Sequence, residues 1–599
     1  MRSLLMIAVS LTLLFPSFGN SQAVTPEQRL QAMQERMKRL QNTIDTDHDN
    51  TLSASEIANA PAALRRLDRN GDGQLSPSES HGGAFAAFER IRLNLVFNFI
   101  DDDGDITVSA DEIKAAPEKL RQLDENNDWK LTADELAPAP GPAPAFFGSP
   151  PQFNNAALWS SKMRDRNYQA SNGPLLPGKD KRAYPGYLFY FGSYTTDRIQ
   201  VQQNAFLRNP DGQVVHEWHN RLQTPDGSTA YLLANGLLLR TASRYNWKQL
   251  KNFPVGSNGV IELVDWESNL VWSYDYCKIG AYCLHHDLAP LPNGNILAIV
   301  FDQMSYAEAE LLGWSQVETA SGSVFSERIV ELQPDLENGN TKIVWQWDSR
   351  DHLIQDQNPQ RANFGDVSAD PGKVDINFIG LNGPPFVTGQ LFHFNSIDYS
   401  AALDQILVSS AINGEVWVID HATTTTEAQG EKGDLLYRFG NPAVHRAGSA
   451  EQQILYWQHD AHWIGDKAEI QVFNNGSKRT VDGRPDAGQL FLGLLDGAYS
   501  DILRLALPMR SRRDYDLTRA PEITWHYNDD GGAGFYSPFM SSARKLPNGN
   551  VLMVQSYNNR IVEVTPAGET VEDYQLPERG HLYRVYKIPP THPALQGRF

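Results

Sequence analysis

Cysteine is nearly missing from this chain: 599 residues hold two, Cys277 and Cys283. A disulfide-built scaffold is thereby excluded, and a packed core has to carry the fold. An even pair in an exported chain is predicted to close one small disulfide loop just ahead of His285. Excess positive charge is missing too. Lys and Arg number 52 against 72 Asp and Glu, for a net charge of −20, which argues against nucleic acid or an anionic membrane as partner. The chain has no long apolar run that would span a bilayer; Leu4 to Phe15 is too short. With Arg2 before it and Ser21-Gln22-Ala23 after it, that run reads as a signal peptide over residues 1–23. No twin arginine accompanies it, and no lipidation cysteine follows. The mature protein is therefore expected to be soluble and exported, to a periplasm or beyond. Residues 185–590 lack long amphipathic helical patterns. Nothing in the composition bears on oligomeric state.

What is present begins with four copies of one pattern. The first is Asp45, Asp47, Asp49, Thr51, Ser53, Glu56, and the second Asp68, Asn70, Asp72, Gln74, Ser76, Glu79. The third is Asp101, Asp103, Asp105, Thr107, Ser109, Glu112, and the fourth Asp124, Asn126, Asp128, Lys130, Thr132, Glu135. Short oxygen ligands at loop positions 1, 3 and 5 with a Glu at 12 form the EF-hand loop, because a hard cation takes six to eight oxygens. Calcium is the expected cofactor. Position 8 is apolar throughout (Leu52, Leu75, Val108, Leu131), suited to pairing loops as short strands. The spacings predict sequential pairs, first with second and third with fourth. Position 6 favours positive φ, hence glycine. Gly73 supplies it in the second loop and Asn50 tolerates it in the first. Ile106 and Trp129 do not, so loops one and two are expected to bind best.

An Ala/Pro stretch follows at 137–151 and reads as an extended linker between an EF-hand domain, 24–136, and a larger domain, 152–599. The larger domain carries an internal repeat. One phrase ends in an aromatic: Val215-His216-Glu217-Trp218, Val271-Trp272-Ser273-Tyr274, Val344-Trp345-Gln346-Trp347, Leu436-Tyr437-Arg438-Phe439, Thr524-Trp525-His526-Tyr527, and a degenerate Glu572-Asp573-Tyr574. Another is Leu-Pro-Asn-Gly-Asn, at 291–295 and 546–550. Six recurrences with room for about four strands each predict an all-β six-bladed β-propeller. It is preceded by an all-α EF-hand domain of two EF-hand pairs. Leu582 to Ile588 is predicted to close the ring beside the first blade.

Aligning the blades puts histidines in register. His286-Asp287-Leu288, His393-Phe394-Asn395-Ser396 and His459-Asp460-Ala461-His462 each open an inner strand, where side chains line the channel mouth. Ser228 and Ser541 take the slot in two other blades. Three imidazoles could bind a transition metal. Alternatively one could act as nucleophile while the other two, partly protonated, stabilise a transferred oxyanion. Spacing does not choose between these, and a propeller that only binds a ligand or surface partner is a third reading.

Three stretches resemble the histidine motifs of the bacterial arylsulfate sulfotransferases. They are Cys283-Leu284-His285-His286-Asp287 with Pro290 to Asn295, His393 to Asp398 with Ile406 to Ser410, and Trp457 to Ala461 with Val472 to Gly476. The resemblance covers roughly 185–590. It implies a six-bladed propeller that moves a sulfuryl group from a small aromatic sulfate donor to a phenolic acceptor. The implied route is ping-pong, through a sulfohistidine, without a nucleotide sulfate donor. It implies His459 as nucleophile, with His286 and His393 orienting sulfuryl oxygens and assisting proton transfer. His285 lies one residue out of register and is expected to face away. The family pattern has an Arg after the Ser-Ser pair, and here that position is Ala411. Such a guanidinium makes a charge-assisted bond worth about 1.5–3 kcal/mol. Arg544, Arg479 and Arg484 are the candidates to replace it.

Overall fold

Ser53 and Glu56 sit at loop positions 9 and 12, and also at the N-cap and third position of a helix. Each side chain bonds the other's backbone N–H, starting the helix Ala54–Leu64. Ser109 and Glu112 repeat the device at Ala110–Leu120. In the computed structural model the described residues are 39–47, 49, 51–68, 73–75, 100, 109–121, 130–131, 180–194, 202–222, 228–245, 249–250, 253–315, 323–378, 389–477, 499–528, 535–557, 559–576 and 582–599. The two capped helices share one core with Leu40, Ile44, Leu52, Leu75, Ile100 and Leu131. Leu52 and Leu131 exchange backbone hydrogen bonds of 2.8 and 2.9 Å. The bridge thus joins the first loop to the fourth, not to the second as its spacing predicted. One small core drawn from distant repeats overrides sequence proximity. No described helix is long and apolar enough to cross a membrane.

Six sheets of four or five antiparallel strands make the propeller. Their innermost strands lie in Val585–Ile588, Ala230–Leu232, Tyr282–Pro290, Phe394–Ser400, His459–Trp463 and Ser542–Lys545, in blades one to six. The aromatic-ended phrases fall on the outermost strands. Of the aromatics that end them, Trp218 and Trp347 are fully buried. Trp347, Phe392, Phe394 and Trp417 join blades three and four in one cluster, and burying each such side chain is worth about 1.5–3 kcal/mol. Leu-Pro-Asn-Gly-Asn is the turn between the two inner strands of blades three and six. Strand Val585–Ile588 pairs with Tyr187–Tyr194 and closes the ring as predicted. The disulfide is present: Cys277 and Cys283 face each other across a short hairpin inside blade three. That hairpin starts the inner strand at Tyr282, earlier than the sequence suggested.

Candidate active site

Each histidine motif begins with a defect in its strand. In blade three the pairing jumps from Leu288 opposite Ala298 to His285 opposite Ile299, so His286 and Asp287 bulge out. In blade four it skips Asn395. In blade five it skips Asp460 and Ala461. Bulges re-aim side chains, and these do it with left-handed backbone: φ is +48° at His286, +54° at His393 and +55° at Asp460. Each such residue costs about 1–3 kcal/mol, so the surroundings must hold it there.

The polar residue after each histidine provides the hold. Asp287, Asn395 and Asp460 are all fully buried. Asp287 accepts the N–H of Ile397 in blade four at 3.2 Å. Asn395 donates to the carbonyl of Gln458, just before the inner strand of blade five, at 2.7 Å. Asp460 accepts the N–H of Ala543 in blade six at 3.1 Å. The closing strand then ties all three together. Arg584 donates to both oxygens of Asp287 at 3.0 and 2.8 Å and to Asp460 at 2.6 Å. Tyr583 donates to the carbonyl of Asn395 at 3.0 Å.

On this frame the imidazoles converge. The rings of His286 and His393 are 4.7 Å apart and perpendicular, and each of these two lies close enough to His459 to disfavour its own protonation. Burial dominates: it pushes His459 down to about 4, His393 to about 3 and His286 well below its ordinary value. All three are neutral at neutral pH. The partial protonation expected from the sequence is thus corrected; desolvation outweighs everything else. Gly256 closes one side. Its φ is +83°, and a Cβ there would lie 2.2 Å from the ring of His286.

His459 has a defined tautomer. Asn475 spends its amide hydrogens on the carbonyls of Ser537 and Met540, at 2.7 and 3.0 Å. Its oxygen therefore accepts, and His459 Nδ1 donates to it at 2.8 Å and to the Trp457 carbonyl at 3.0 Å. The lone pair is left on Nε2, where the N–H of Met540 approaches to 3.3 Å. A neutral imidazole so held is a nucleophile at Nε2.

Ala411 is buried with Ile412 and Trp457. The indole of Trp457 stacks on His393 at 5.6 Å. Arg544 does not bond the imidazoles of His286, His393 or His459; its guanidinium pairs with Asp460 and lies over Tyr586. Arg479 and Arg484 lie outside the described residues. Ser228 and Ser541 precede their inner strands, and Ser541 bonds Ser537 at 2.8 Å. His285 is fully buried behind His286, between it and Glu327. Glu327, Arg584, Tyr583 and Asn475 were not singled out in the sequence. Glu327 carried no signal of its own: its strand, Val324–Pro334, also holds Ser326, Arg328, Glu331 and Gln333.

In the EF-hand segment, Asp45, Asp47 and Asp49 bring ligand oxygens within 4.8 Å of one another. Among the described residues this is the one such group of His, Cys, Asp or Glu; the three histidines do not form one. Glu56 reaches back over the loop to the N–H of Thr46 at 2.6 Å. Burial raises its pKa, but bonds from Ser53 and Thr46 outweigh this and hold it at about 2. Thr51 donates its N–H to Asp49 at 2.7 Å. Gly73, at φ +82°, donates to Asp68 at 2.9 Å, as a sixth-position glycine should. Gln74, Glu112 and Lys130 are described, while most of the carboxylates of their loops lie outside the described residues. Asn70, Asp72, Glu79, Asp101, Asp103, Asp105, Thr107, Asp124, Asn126, Asp128 and Glu135, with Ile106 and Trp129, lie outside the described residues.

Fold and site together define a six-bladed propeller with neutral imidazoles gathered at its channel. The sequence profile of the arylsulfotransferase (ASST) family matches residues 270–576, and that of the EF hand matches 62–79. The chain belongs to the arylsulfotransferase family. No curated protein matches it. It is similar to a Bacteroides caccae protein of unknown function at 11% identity, over 67% of this chain and 98% of that one, with a TM-score of 0.37. It is also similar to a periplasmic gluconolactonase from Pseudomonas aeruginosa at 11% identity, over 67% and 99%, with a TM-score of 0.31.

Proposed function

We propose that the protein is a calcium-binding arylsulfate sulfotransferase working by ping-pong transfer. The observation that carries this is His459, with Nδ1 pinned by Asn475 and a lone pair on Nε2. Nε2 attacks the sulfur of an aryl sulfate, the phenol leaves, and a second phenol takes the sulfuryl group from the sulfohistidine. His286 and His393 hold sulfuryl oxygens, His286 through a ring N–H and His393 through the protonation that the anionic ester favours on binding. With Ala411 where the family has Arg, these imidazoles carry that task, and among the described residues no arginine is hydrogen-bonded to them. The test is release of nitrophenol from p-nitrophenyl sulfate with phenol as acceptor. Phenol-dependent release that disappears in His459→Asn is expected; unchanged release in the variant rejects the assignment.

Calcium would be held by Asp45, Asp47, Asp49 and Glu56, and by Asp68 in the second loop. There it would neutralise crowded carboxylates and brace the segment. Export is part of the same proposal, supported by the Leu4 to Phe15 run and by the disulfide, a bond of oxidising compartments. A mature N-terminus at Val24 is the expected result of sequencing the secreted form.

A further inference from the structure

His285 and His286 meet nitrogen to nitrogen. Their Nδ1 atoms are 2.9 Å apart, and two lone pairs or two N–H groups could not face each other at that distance. One shared proton lies between them. On its other side, His285 Nε2 is 2.7 Å from Glu327 Oε2, and that contact also holds one proton. His285 and Glu327 are 0% and 1% exposed. Phe301 stacks on His285 at 3.5 Å and fixes the ring plane. The second oxygen of Glu327 accepts the N–H of Phe394, next to His393, at 2.9 Å. A staple between blades three and four needs only that last bond. It does not need two imidazoles in line behind a third group.

We propose that Glu327 and His285 are positioning residues of a proton relay that lets His286 act as acid and base on the phenolic oxygen. This rests on the transferase reading above. In the resting chain Glu327 O–H donates to His285 Nε2, His285 Nδ1–H donates to His286 Nδ1, and His286 Nε2 carries hydrogen. As the aryl oxygen–sulfur bond breaks and the sulfur–Nε2 bond to His459 forms, His286 Nε2–H passes to the departing oxygen. The His285 proton moves to His286 Nδ1, the Glu327 proton moves to His285 Nε2, and a carboxylate remains. The acceptor phenol reverses every transfer as its oxygen attacks sulfur. Protons balance over the cycle: His285 and His286 stay neutral, and the positive charge that His459 gains on sulfurylation at Nε2, with its hydrogen kept on Nδ1, balances the Glu327 carboxylate. Burial favours this resting form, since it raises Glu327 and lowers both histidines. The titratable neighbours are His393 and His459 facing His286, and Asp302 facing Glu327.

Glu327→Gln breaks the relay while keeping shape. The amide can donate to His285 Nε2 but cannot pass on a proton. His285→Asn interrupts it one step later and leaves the bond from Glu327 to Phe394 intact. Each variant is compared with the wild type by thermal melting, by the nitrophenol burst from p-nitrophenyl sulfate, and by turnover with phenols of graded acidity. General acid–base catalysis is worth about 10²–10⁴-fold. The expected result is a fall of about 100-fold with weakly acidic phenols, shrinking by at least about tenfold for strongly acidic ones that need no proton transfer. Equal slowing of all phenols in a folded variant overturns the relay, as does no slowing. If Glu327→Gln does not fold, His285→Asn gives the same two-way answer. A wild type without a burst rejects the transferase reading itself, and the relay with it.

Discussion

Asp45, Asp47 and Asp49 crowd their oxygens within 4.8 Å at the first loop, while Asp287 and Asp460 lie fully buried beneath the histidines. Both groups gather like charges, and each is balanced differently. The first comes from alternate positions of one loop, two of its members are exposed, and a mobile ion suits it. The second comes from two blades and is neutralised by side chains of the protein itself, Arg584 for both acids and Arg544 for Asp460. A site meant to take up and release a ligand keeps its charges near water. A frame meant to stay still puts its counter-ion in the sequence.

Removing the internal counter-ion has the largest expected effect. Arg584→Leu leaves Asp287 buried without its counter-ion and Asp460 with Arg544 alone, and breaking a buried pair costs about 3–5 kcal/mol. Denaturant unfolding measures it, and sulfuryl transfer should fall with it. A loss within that of a surface substitution would show the buried pair to be as dispensable as an exposed one. Removing the external ion is expected to do less, and elsewhere. At calcium 100-fold above its Kd, binding adds about 2.7 kcal/mol. Chelation, or Asp47→Asn with Asp49→Asn, should lower the melting transition of the EF-hand segment and leave the propeller transition in place by calorimetry. A shift of both transitions would erase the contrast.

Gly256→Ala acts on the still frame alone. Left-handed alanine costs about 1–3 kcal/mol, and the displaced His286 should lower turnover by about 10²-fold, with the calcium titration unchanged. The smallest effect is graded with pH. Burial holds His459 at about 4 and His393 at about 3, below the ordinary value of about 6.5. As pH falls below that value the unfolded chain takes up protons that the folded chain refuses. Stability therefore declines progressively from about pH 6.5 toward those lower values, and these groups add no slope above neutrality. Urea midpoints across that range check the sign; rising stability on acidification would contradict buried neutral imidazoles.

The same contrast explains what could be read from the sequence. EF-hand ligands are separated by one residue, so a linear scan finds them, and the capping pairs Ser53–Glu56 and Ser109–Glu112 come with the motif. Repeated phrases gave the blade count because each marks one strand position. Loop pairing was misread, since a core shared by Leu52 and Leu131 is invisible to spacing. His285 was set aside on strand alternation. That argument holds for a regular strand and correctly kept it out of the mouth. It did not show that the bulge at His286 and Asp287 would place the two imidazoles in line. Glu327 and Arg584 reach the site across blades, over contacts no local pattern encodes. Arg544, chosen by its place near the start of a strand, serves Asp460 rather than the position of Ala411.

Synthesis runs from the N-terminus, so residues 582–588 leave the ribosome after every histidine of the site. Until they arrive, Asp287 has no guanidinium, Asp460 has only that of Arg544, and the ring has no closing strand. A nascent chain that has reached residue 581 owns every imidazole of the site but not the residues that tie the three blades together, Tyr583 and Arg584. The site is thus completed only when the chain is, and a cut between blade six and Tyr583 would remove the guanidinium shared by Asp287 and Asp460 without touching an imidazole.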